Sequence, residues 1–254
     1  MNAEFRPFKY PLFESGFYSE YENSEIKRIK HLPHKLVRIT IGVYETLPQE
    51  ELYGHIQSTQ YEHIENKKVL ERLQNQFNIL VPDFDIVIGP RDGEQVNYYT
   101  IVDRIYGENL EYHDVKPKEV KKVGKLVEAL YSSMIIYFQD VYQNGGWFLS
   151  DLSRDNSQFF YGRKKGGKEK SIYFVDIEPR LEYIDENRPL THEGLLVYTF
   201  NWLYESMCEI EYRLGFRLTS AREGLLSFAR TIPPTYVNYP LVSSTINELT
   251  KSSE

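Results

Sequence analysis

The periodicity of the apolar residues changes near residue 104, and this change constrains the fold more than any other feature of the chain. Before it, residues 36–41 alternate between apolar and polar side chains and include β-branched residues, as a half-buried strand does. Residues 84–88 and 96–102 predict a strand pair, joined by a turn rich in glycine and proline. Residues 49–76 instead have apolar side chains on one helical face and a charged exterior, which predicts one helix among the strands.

Beyond residue 104 the apolar spacing becomes helical. From Val120 to Val141 the apolar residues recur in steps of three and four, and Pro117 stands where a proline of the first turn belongs. Gly145 and Gly146 predict the end of this helix. The remaining predicted elements are two short strands, at residues 157–161 and 171–175, and a second long helix at residues 191–214.

Strands in the first part of the chain and helices in the second predict an α+β fold. We expect a strand-rich amino-terminal lobe with one helix over residues 1–103, and a mainly helical carboxy-terminal lobe over residues 104–254. At about 100–200 residues per domain, a chain of 254 residues is long enough for two such lobes that share a cleft.

Charge and cysteine content exclude several kinds of protein. The net charge of −7 argues against general nucleic-acid binding, so no nucleic-acid partner is expected. Cys208 is the only cysteine, which excludes a disulfide framework within the chain and a thiolate zinc cluster. A single cysteine fits a reducing compartment, and we expect a cytoplasmic location. The apolar runs are too short to cross a bilayer, so no membrane span is expected.

The residues that could carry chemistry are concentrated in one part of the sequence. Asp151 and Asn156 lie in a polar stretch between the long helix and the first short strand, and Asp176 follows the next, apolar strand. Carboxylate and amide oxygens suit Mg²⁺ that is bound together with nucleotide phosphates. Phosphoryl transfer needs mainly positioning and charge neutralisation by such a metal. As alternatives, Asp151 is a loop or capping acid and Asp176 is a turn residue at the end of a strand.

The order of these features resembles the catalytic core of the protein-kinase-like superfamily: a long helix, Asp151, four residues, Asn156, a hairpin, an apolar strand and Asp176. The resemblance extends to the aminoglycoside phosphotransferase and choline kinase branches and to atypical protein kinases. It implies a bilobal kinase-like fold and transfer of the γ-phosphate of ATP, with Mg²⁺, to a hydroxyl of a small molecule or protein. It implies that Asp151 accepts the hydroxyl proton, and that Asn156 and Asp176 hold Mg²⁺ with Glu178 as an outer ligand.

Two further segments are similar to parts of this superfamily. Residues 99–110 resemble the hinge between the lobes, where adenine would hydrogen-bond to the backbone near Asp103 and Ile105. Residues 14–20 resemble a degenerate glycine-rich loop over the phosphates, with Gly16 as its glycine. The alternative is that Gly16 belongs to a plain turn.

Residues 36–39 resemble the third strand of the amino-terminal lobe of such kinases, with Arg38 where lysine is usual. The resemblance implies that Arg38 contacts the α- and β-phosphates of the nucleotide. Its acidic partner on the predicted helix would be Glu65, with Glu62 as the second choice. The alternatives are that Arg38 faces outward on a half-exposed sheet and that Glu65 lies on a solvated helix face.

Departures from the superfamily pattern lead to a second hypothesis. Leu149 stands two residues before Asp151, where histidine is usual, and Ile177 and Glu178 follow the second aspartate in place of Phe and Gly. A pseudokinase that acts as a nucleotide-binding or scaffold module tolerates such changes, and this is the alternative function. In a third interpretation, an unrelated α+β protein carries the motif by chance.

Overall fold

The computed structural model describes residues 4–5, 8–19, 24–40, 49–90, 96–149, 151–154, 156–176, 181–184, 193–236 and 238–251. Within these ranges the chain has an α+β fold, with mainly antiparallel strands in its amino-terminal part and helices later, as the change of periodicity predicts. The chain divides into two compact units. The first comprises Met1–Leu70, Pro82–Tyr106 and Arg163–Glu169, and the second comprises Glu71–Val81, Gly107–Gly162 and Lys170–Glu254.

A six-stranded sheet forms the body of the first unit. Its strands are β1 (Glu4–Phe5), β2 (Leu12–Ser19), β3 (Ser24–Ile29), β4 (Leu32–Thr40), β5 (Phe84–Pro90) and β6 (Val96–Asp103). They neighbour one another in the order β1-β5-β6-β4-β3-β2. β1 pairs with β5 in parallel, and the other neighbours are antiparallel.

The predicted strands of this sheet are confirmed, and their alternation sorts the side chains onto two faces. β5 and β6 pair as predicted, and β4 pairs with β6 on the other side. Val37 and Ile39 of β4 are buried in a core cluster with Phe8 and Tyr99, whose rings stack with centroids 4.0 Å apart. Because successive side chains point to opposite faces, Arg38 lies on the other face.

One helix, α1 (Gln49–Phe77), stands between β4 and β5 in the sequence, with the bounds that the charged segment predicts. Ile56 of α1 packs in a second cluster with Ile86 and Ile88 of β5. Val87, which alternates with these two residues, belongs to the core cluster on the other face. The sheet therefore buries apolar side chains on both faces, and α1 packs against one of them.

His63 of α1 is a buried histidine in this unit, with 6% of its surface exposed. Its ring packs edge-on against Phe84, with centroids 5.4 Å apart. Burial and the positive charge of Lys67 lower the pKa of His63 to about 4, while Asp85 opposes the shift. Its Nε2 has no hydrogen-bond partner among the residues that the structure describes. His63 is therefore neutral at pH 7, and the folded chain protonates it less readily than the unfolded chain does.

We expect His63 to lower the free energy of unfolding by about 2–3 kcal/mol as the pH falls from about 6.5 to about 4. In this window the unfolded chain binds a proton at His63 and the folded chain does not, so acidification favours unfolding. Urea unfolding at a series of pH values checks this, with His63→Leu as the comparison. The variant should lose this part of the pH dependence. Identical slopes of unfolding free energy against pH in the two proteins would show that His63 contributes nothing.

The later part of the chain supplies helices and two small sheets. The helices described here are α2 (Val120–Asn144), α3 (Asp151–Arg154), α4 (Glu193–Leu214), α5 (Thr219–Ala229) and α6 (Tyr239–Lys251). One sheet has the order β10-β9-β7, from β7 (Tyr106–Asn109), β9 (Phe159–Arg163) and β10 (Ser171–Phe174). In the other, β8 (Gly146–Leu149) pairs antiparallel with β11 (Leu181–Ile184). None of the helices within the described ranges combines the length and apolar character needed to cross a membrane.

The helix α2 supplies a long apolar stripe to the core of the second unit, at the spacing that the sequence predicts. Its buried residues are Val123, Gly124, Val127, Leu130, Tyr131, Met134, Ile135, Tyr137, Phe138 and Val141. Gly145 ends the helix with φ 73°, a left-handed conformation that glycine adopts without steric cost. Its N–H donates to the carbonyl oxygen of Val141 at 2.8 Å. The predicted helix and its stop signal are confirmed.

Candidate functional site

The hairpin of β9 and β10 determines which residues meet at its open end. The two strands pair antiparallel, and the pairing continues past them because the N–H of Val175 donates to the carbonyl oxygen of Gln158 at 2.9 Å. Asp176 follows Val175 directly, and Gln158 is the last residue of the short turn that begins at Asn156. This hydrogen bond joins the chain segments that carry Asn156 and Asp176, although the two residues are 20 positions apart in the sequence.

Asp151 enters this region through β8 and α3. Tyr137 of α2 holds β8 in place: its hydroxyl donates to the carbonyl oxygen of Trp147 at 2.7 Å and accepts from the N–H of Leu149 at 3.2 Å. Burial raises the pKa of Tyr137, so this hydroxyl stays protonated. Asp151 is the first residue of the four-residue helix α3 and is half-buried. The short turn that begins at Asn156 then leads directly into β9.

The side chain of Asn156 is 1% exposed and is hydrogen-bonded at both ends of its amide. The hydroxyl of Tyr131 donates to Oδ1 at 3.0 Å, and Nδ2 donates to the carbonyl oxygen of Ser206 at 3.3 Å. The same hydroxyl lies 3.0 Å from Oγ of Ser206. Burial raises the pKa of Tyr131, against the effect of these hydrogen bonds. Asn156 therefore ties the segment before β9 to both α2 and α4.

We expect Tyr131→Phe to lower the free energy of unfolding by about 1–2 kcal/mol, because it leaves the buried amide oxygen of Asn156 without its donor and removes one partner of the buried Ser206 hydroxyl. Urea unfolding at pH 7 measures the difference. Tyr212→Phe is the matched control, since Tyr212 is 89% exposed and should change stability little. Equal losses in the two variants, or none in Tyr131→Phe, would contradict the assignment of this hydroxyl to the buried network.

The structure describes two of the predicted metal ligands, Asn156 and Asp176, but not the third, Glu178. Asp176 lies two residues after β10 and is half-buried. Glu178, the predicted outer ligand, lies outside the described residues. Within the described ranges, no group of three His, Cys, Asp or Glu side chains is arranged to hold a metal ion. A cation at the open end of the hairpin would therefore need the Asn156 amide besides Asp176, and phosphates or water to complete its coordination, as is common for Mg²⁺.

Arg38 belongs to the first unit and is half-buried in the middle of β4. It stands opposite Thr100 of β6, which in turn stands opposite Ile86 of β5. Directly opposite residues share a face of the sheet. Ile86 packs with Ile56 of α1, so Arg38 lies on the sheet face against which α1 packs.

Glu65 and Glu62 lie on α1 and differ in exposure. The carboxylate of Glu65 accepts a hydrogen bond from Nζ of Lys68 at 2.7 Å, and only 14% of its side chain is exposed. Glu62 is exposed and accepts from Oγ of Ser58 at 3.4 Å. A glutamate with so little exposed surface is unusual on a solvated helix face, which favours Glu65 over Glu62 as the residue with a role beyond solubility.

The predicted hinge begins where β6 ends. The N–H of Asp103, the last residue of β6, donates to the carbonyl oxygen of Asp83 at 2.8 Å. The N–H of Arg104 donates to the carbonyl oxygen of His34 at 2.9 Å. Both N–H groups are hydrogen-bonded within the first unit. The hinge interpretation needs a backbone N–H that donates to adenine, and of these three residues it leaves Ile105, which is buried.

Gly16 lies within β2 and stands opposite Lys27 of β3. The register between the two strands shifts between Leu12 and Gly16 and is regular from there to Ser19. The segment that resembles a phosphate-covering loop is therefore strand up to Ser19. Residues 20–23, which join β2 to β3, lie outside the described residues.

Three residues that shape the second unit near the hairpin are absent from the sequence-based expectations. Tyr131 and Ser206 fall inside predicted helices, where their positions signal burial but not their contact with Asn156. Gly107 falls in the predicted hinge turn, yet it lies in β7, so close to β9 that an added Cβ would stand 2.5 Å from Cα of Gly162. A glycine that follows a strand suggests a turn as readily as a close backbone approach, so the sequence did not distinguish the two.

Comparison with known proteins adds no relative to this description. No protein-family model matches the chain, and no curated protein matches it. The functional argument therefore depends on the residues of this chain and on their geometry.

Proposed function

We propose that the chain is an ATP- and Mg²⁺-dependent phosphotransferase that transfers the γ-phosphate to a hydroxyl group of a small molecule or protein. The observation that carries the proposal is the register of the β9–β10 hairpin. The hydrogen bond from Val175 to Gln158 joins the chain segments that carry Asp176 and Asn156. The two residues chosen as metal ligands from the sequence thus belong to segments that meet in the fold, which supports the proposal.

The donor chemistry of these residues fits Mg²⁺. A carboxylate and an amide supply oxygen ligands, which this cation prefers, and Mg²⁺ usually keeps several waters or substrate phosphates in its coordination sphere. Oδ1 of Asn156 uses one lone pair for the hydrogen bond from Tyr131, and a carbonyl oxygen has a second. Asp176 and Asn156 would hold the ion, with Glu178 as the outer ligand. When bound, Mg²⁺ neutralises charge on the β- and γ-phosphates.

Asp151 is the proposed proton acceptor. It is half-buried at the start of α3, five residues before Asn156, on the chain segment that leads into the hairpin. In the proposed reaction the acceptor hydroxyl gives its proton to the Asp151 carboxylate as its oxygen bonds to the γ-phosphorus. The bond between this phosphorus and the β–γ bridging oxygen breaks, and ADP leaves.

Residues of the first unit would bind the rest of the nucleotide. Arg38 would contact the α- and β-phosphates, with Glu65 as its acidic partner; the position of Arg38 on the sheet face packed by α1, the helix of Glu65, supports this pairing. Ile105, with Asp103 before it, would meet the adenine through the backbone. Gly16 would lie in the strand segment that precedes the phosphate-covering turn.

The second candidate function is that of a pseudokinase, a nucleotide-binding or scaffold module with little activity. Two observations favour it specifically. The amide of Asn156 is buried and already bonded to Tyr131 and Ser206, as a purely structural asparagine would be. Leu149 stands where the superfamily usually has histidine. It is fully buried, its N–H donates to the hydroxyl of Tyr137, and its side chain contributes no polar group.

ATP consumption and thermal unfolding of the purified full chain distinguish these functions. A phosphotransferase should consume ATP when Mg²⁺ is present, and its unfolding temperature should rise with Mg²⁺ and ATP together more than with ATP alone. A rise that does not depend on Mg²⁺, without ATP consumption, would favour the pseudokinase. No rise with ATP, ADP or GTP, with or without Mg²⁺, and no ATP consumption would contradict the phosphotransferase and favour a scaffold module that binds no nucleotide.

A further inference from the structure

One face of α4 carries a stripe of aromatic and acidic side chains. Tyr198, Trp202, Glu205, Glu209 and Tyr212 follow one another at steps of three and four residues, so they lie along one side of the helix. At 1.5 Å per residue the stripe is about 21 Å long. We call these five residues the aromatic–acidic stripe.

The stripe is open to solvent over most of its length. Tyr198 is 49% exposed and Tyr212 is 89% exposed, and both glutamates of the stripe are exposed. Trp202 is half-buried and stacks on Tyr198, with ring centroids 6.0 Å apart and planes inclined by 27°. Exposed aromatic rings in a row are more typical of an interaction surface than of a solvated helix, where charged and small polar residues are usual.

The charge of α4 indicates a positively charged partner. The helix has four glutamates and a single basic residue, Arg213. Nη2 of Arg213 donates to the carbonyl oxygen of Leu110 at 3.2 Å, so this cation is directed to a backbone group of the second unit. The stripe itself presents two carboxylates between aromatic faces, and both groups attract cations: carboxylates by charge and ring faces by their quadrupole.

We propose that the aromatic–acidic stripe binds an extended peptide segment of a partner protein that carries several lysine or arginine residues. An extended chain rises about 3.3 Å per residue, so the stripe matches a segment of roughly six residues. Two carboxylates with aromatic rings on either side accommodate cationic side chains that are spaced along such a segment. Polyanions such as nucleic acid are repelled by the same carboxylates. The proposal is independent of the phosphotransferase function, since it uses no residue assigned to that reaction.

Fluorescence of Trp202 tests the proposal directly. The chain has two tryptophans, so Trp147→Phe leaves Trp202 as the reporter within the stripe. We expect acetylated and amidated hexalysine to change the Trp202 emission with saturation, and the dissociation constant to rise with salt. Hexaglutamate should cause no saturable change. A change of emission with protein concentration in the absence of peptide would overturn the proposal in favour of a second copy of the chain.

Variants separate the stripe from the overall negative charge of the protein. In the Trp147→Phe background, Glu205→Gln with Glu209→Gln should weaken hexalysine binding about tenfold. Glu71→Gln with Glu223→Gln, two exposed glutamates on other helices, changes the net charge equally and should weaken binding no more than about twofold. Tyr212→Ala keeps the charge and should weaken binding about threefold by removing one ring. Equal weakening in the two double variants, or no saturable binding by the parent, would overturn the proposal.

Discussion

Asp176→Asn is expected to lower Mg²⁺-dependent ATP consumption by at least about 100-fold, because it removes the negative charge that we propose to hold the cation. The substitution keeps the size of the side chain and its acceptor oxygen. Asp176 is half-buried and lies outside β10, and the thermal unfolding temperature of the variant shows whether the fold is retained. The measurement is the steady-state rate of ADP formation at saturating ATP, with and without Mg²⁺.

Asp114→Asn is the matched control, since Asp114 is an exposed aspartate of the same unit that has no proposed role. It should retain the rate of the parent protein. If Asp176→Asn consumed ATP as fast as the parent, the metal-binding assignment would be wrong. If both variants were slow, the loss would reflect charge or folding and not the position of Asp176.

Gly107→Ala is expected to lower the free energy of unfolding by about 2–3 kcal/mol, which corresponds to a fall of roughly 5–10 °C in the unfolding temperature. A Cβ at this position would stand 2.5 Å from Cα of Gly162 and 2.8 Å from the carbonyl carbon of Tyr161. Both atoms are backbone atoms of β9, so relief requires the two strands to separate. Asn109 Nδ2, which donates to the carbonyl oxygen of Ser157 at 2.6 Å, belongs to the same strand pair and would be displaced with it.

Gly224→Ala provides the opposite expectation in the same unit. Gly224 lies inside α5, where an added Cβ would make ordinary contacts of 3.8 and 3.9 Å with Ile135. Alanine in a helix interior is favoured over glycine by about 0.5–1 kcal/mol, so this variant should be slightly more stable than the parent. Thermal and urea unfolding measure both variants. A Gly107→Ala protein as stable as Gly224→Ala would show that β7 and β9 are not in the close contact described.

Most of the regular elements follow from local pattern, because burial imposes a period on the sequence. The charged helix at residues 49–76 and the strand pair at 84–88 and 96–102 have such periods, and α1, β5 and β6 match them closely. The second unit was harder to predict where neighbours, not local residues, complete an element. β8 and β11 pair across more than 30 residues of sequence, and such a pairing has no local signal.

The helix α5 shows how a tertiary contact replaces a usual helix signal. Leu218, at the start of α5, has no side chain that can cap a helix. Glu128 of α2 instead accepts a hydrogen bond from the N–H of Ser220 at 2.8 Å. Pro240 is the second residue of α6, where the first helical turn tolerates proline because no intrahelical partner is needed there. The helix α6, by contrast, has such start signals, since Asn238 stands directly before it and Pro240 lies in its first turn.

The candidate site, too, has features with a local sequence signal and features that depend on tertiary contacts. The strand patterns at residues 157–161 and 171–175 predict a hairpin between Asn156 and Asp176, and the pairing of β9 with β10 confirms it. The burial of Asn156 against Tyr131 and Ser206 could not be predicted, since α2, α4 and this turn meet only in the folded chain. In the phosphotransferase these contacts would orient Asn156 as a metal ligand. In the pseudokinase they would take the place of metal binding.

Diffraction at the manganese absorption edge resolves this difference most directly. Crystals of the full chain would be grown with a non-hydrolysable ATP analogue and Mn²⁺ in place of Mg²⁺. The phosphotransferase account predicts an anomalous peak about 2.2 Å from a carboxylate oxygen of Asp176 and from Oδ1 of Asn156, bridged to the nucleotide phosphates. A manganese peak that contacts the nucleotide but neither residue, or bound nucleotide without manganese, would contradict it.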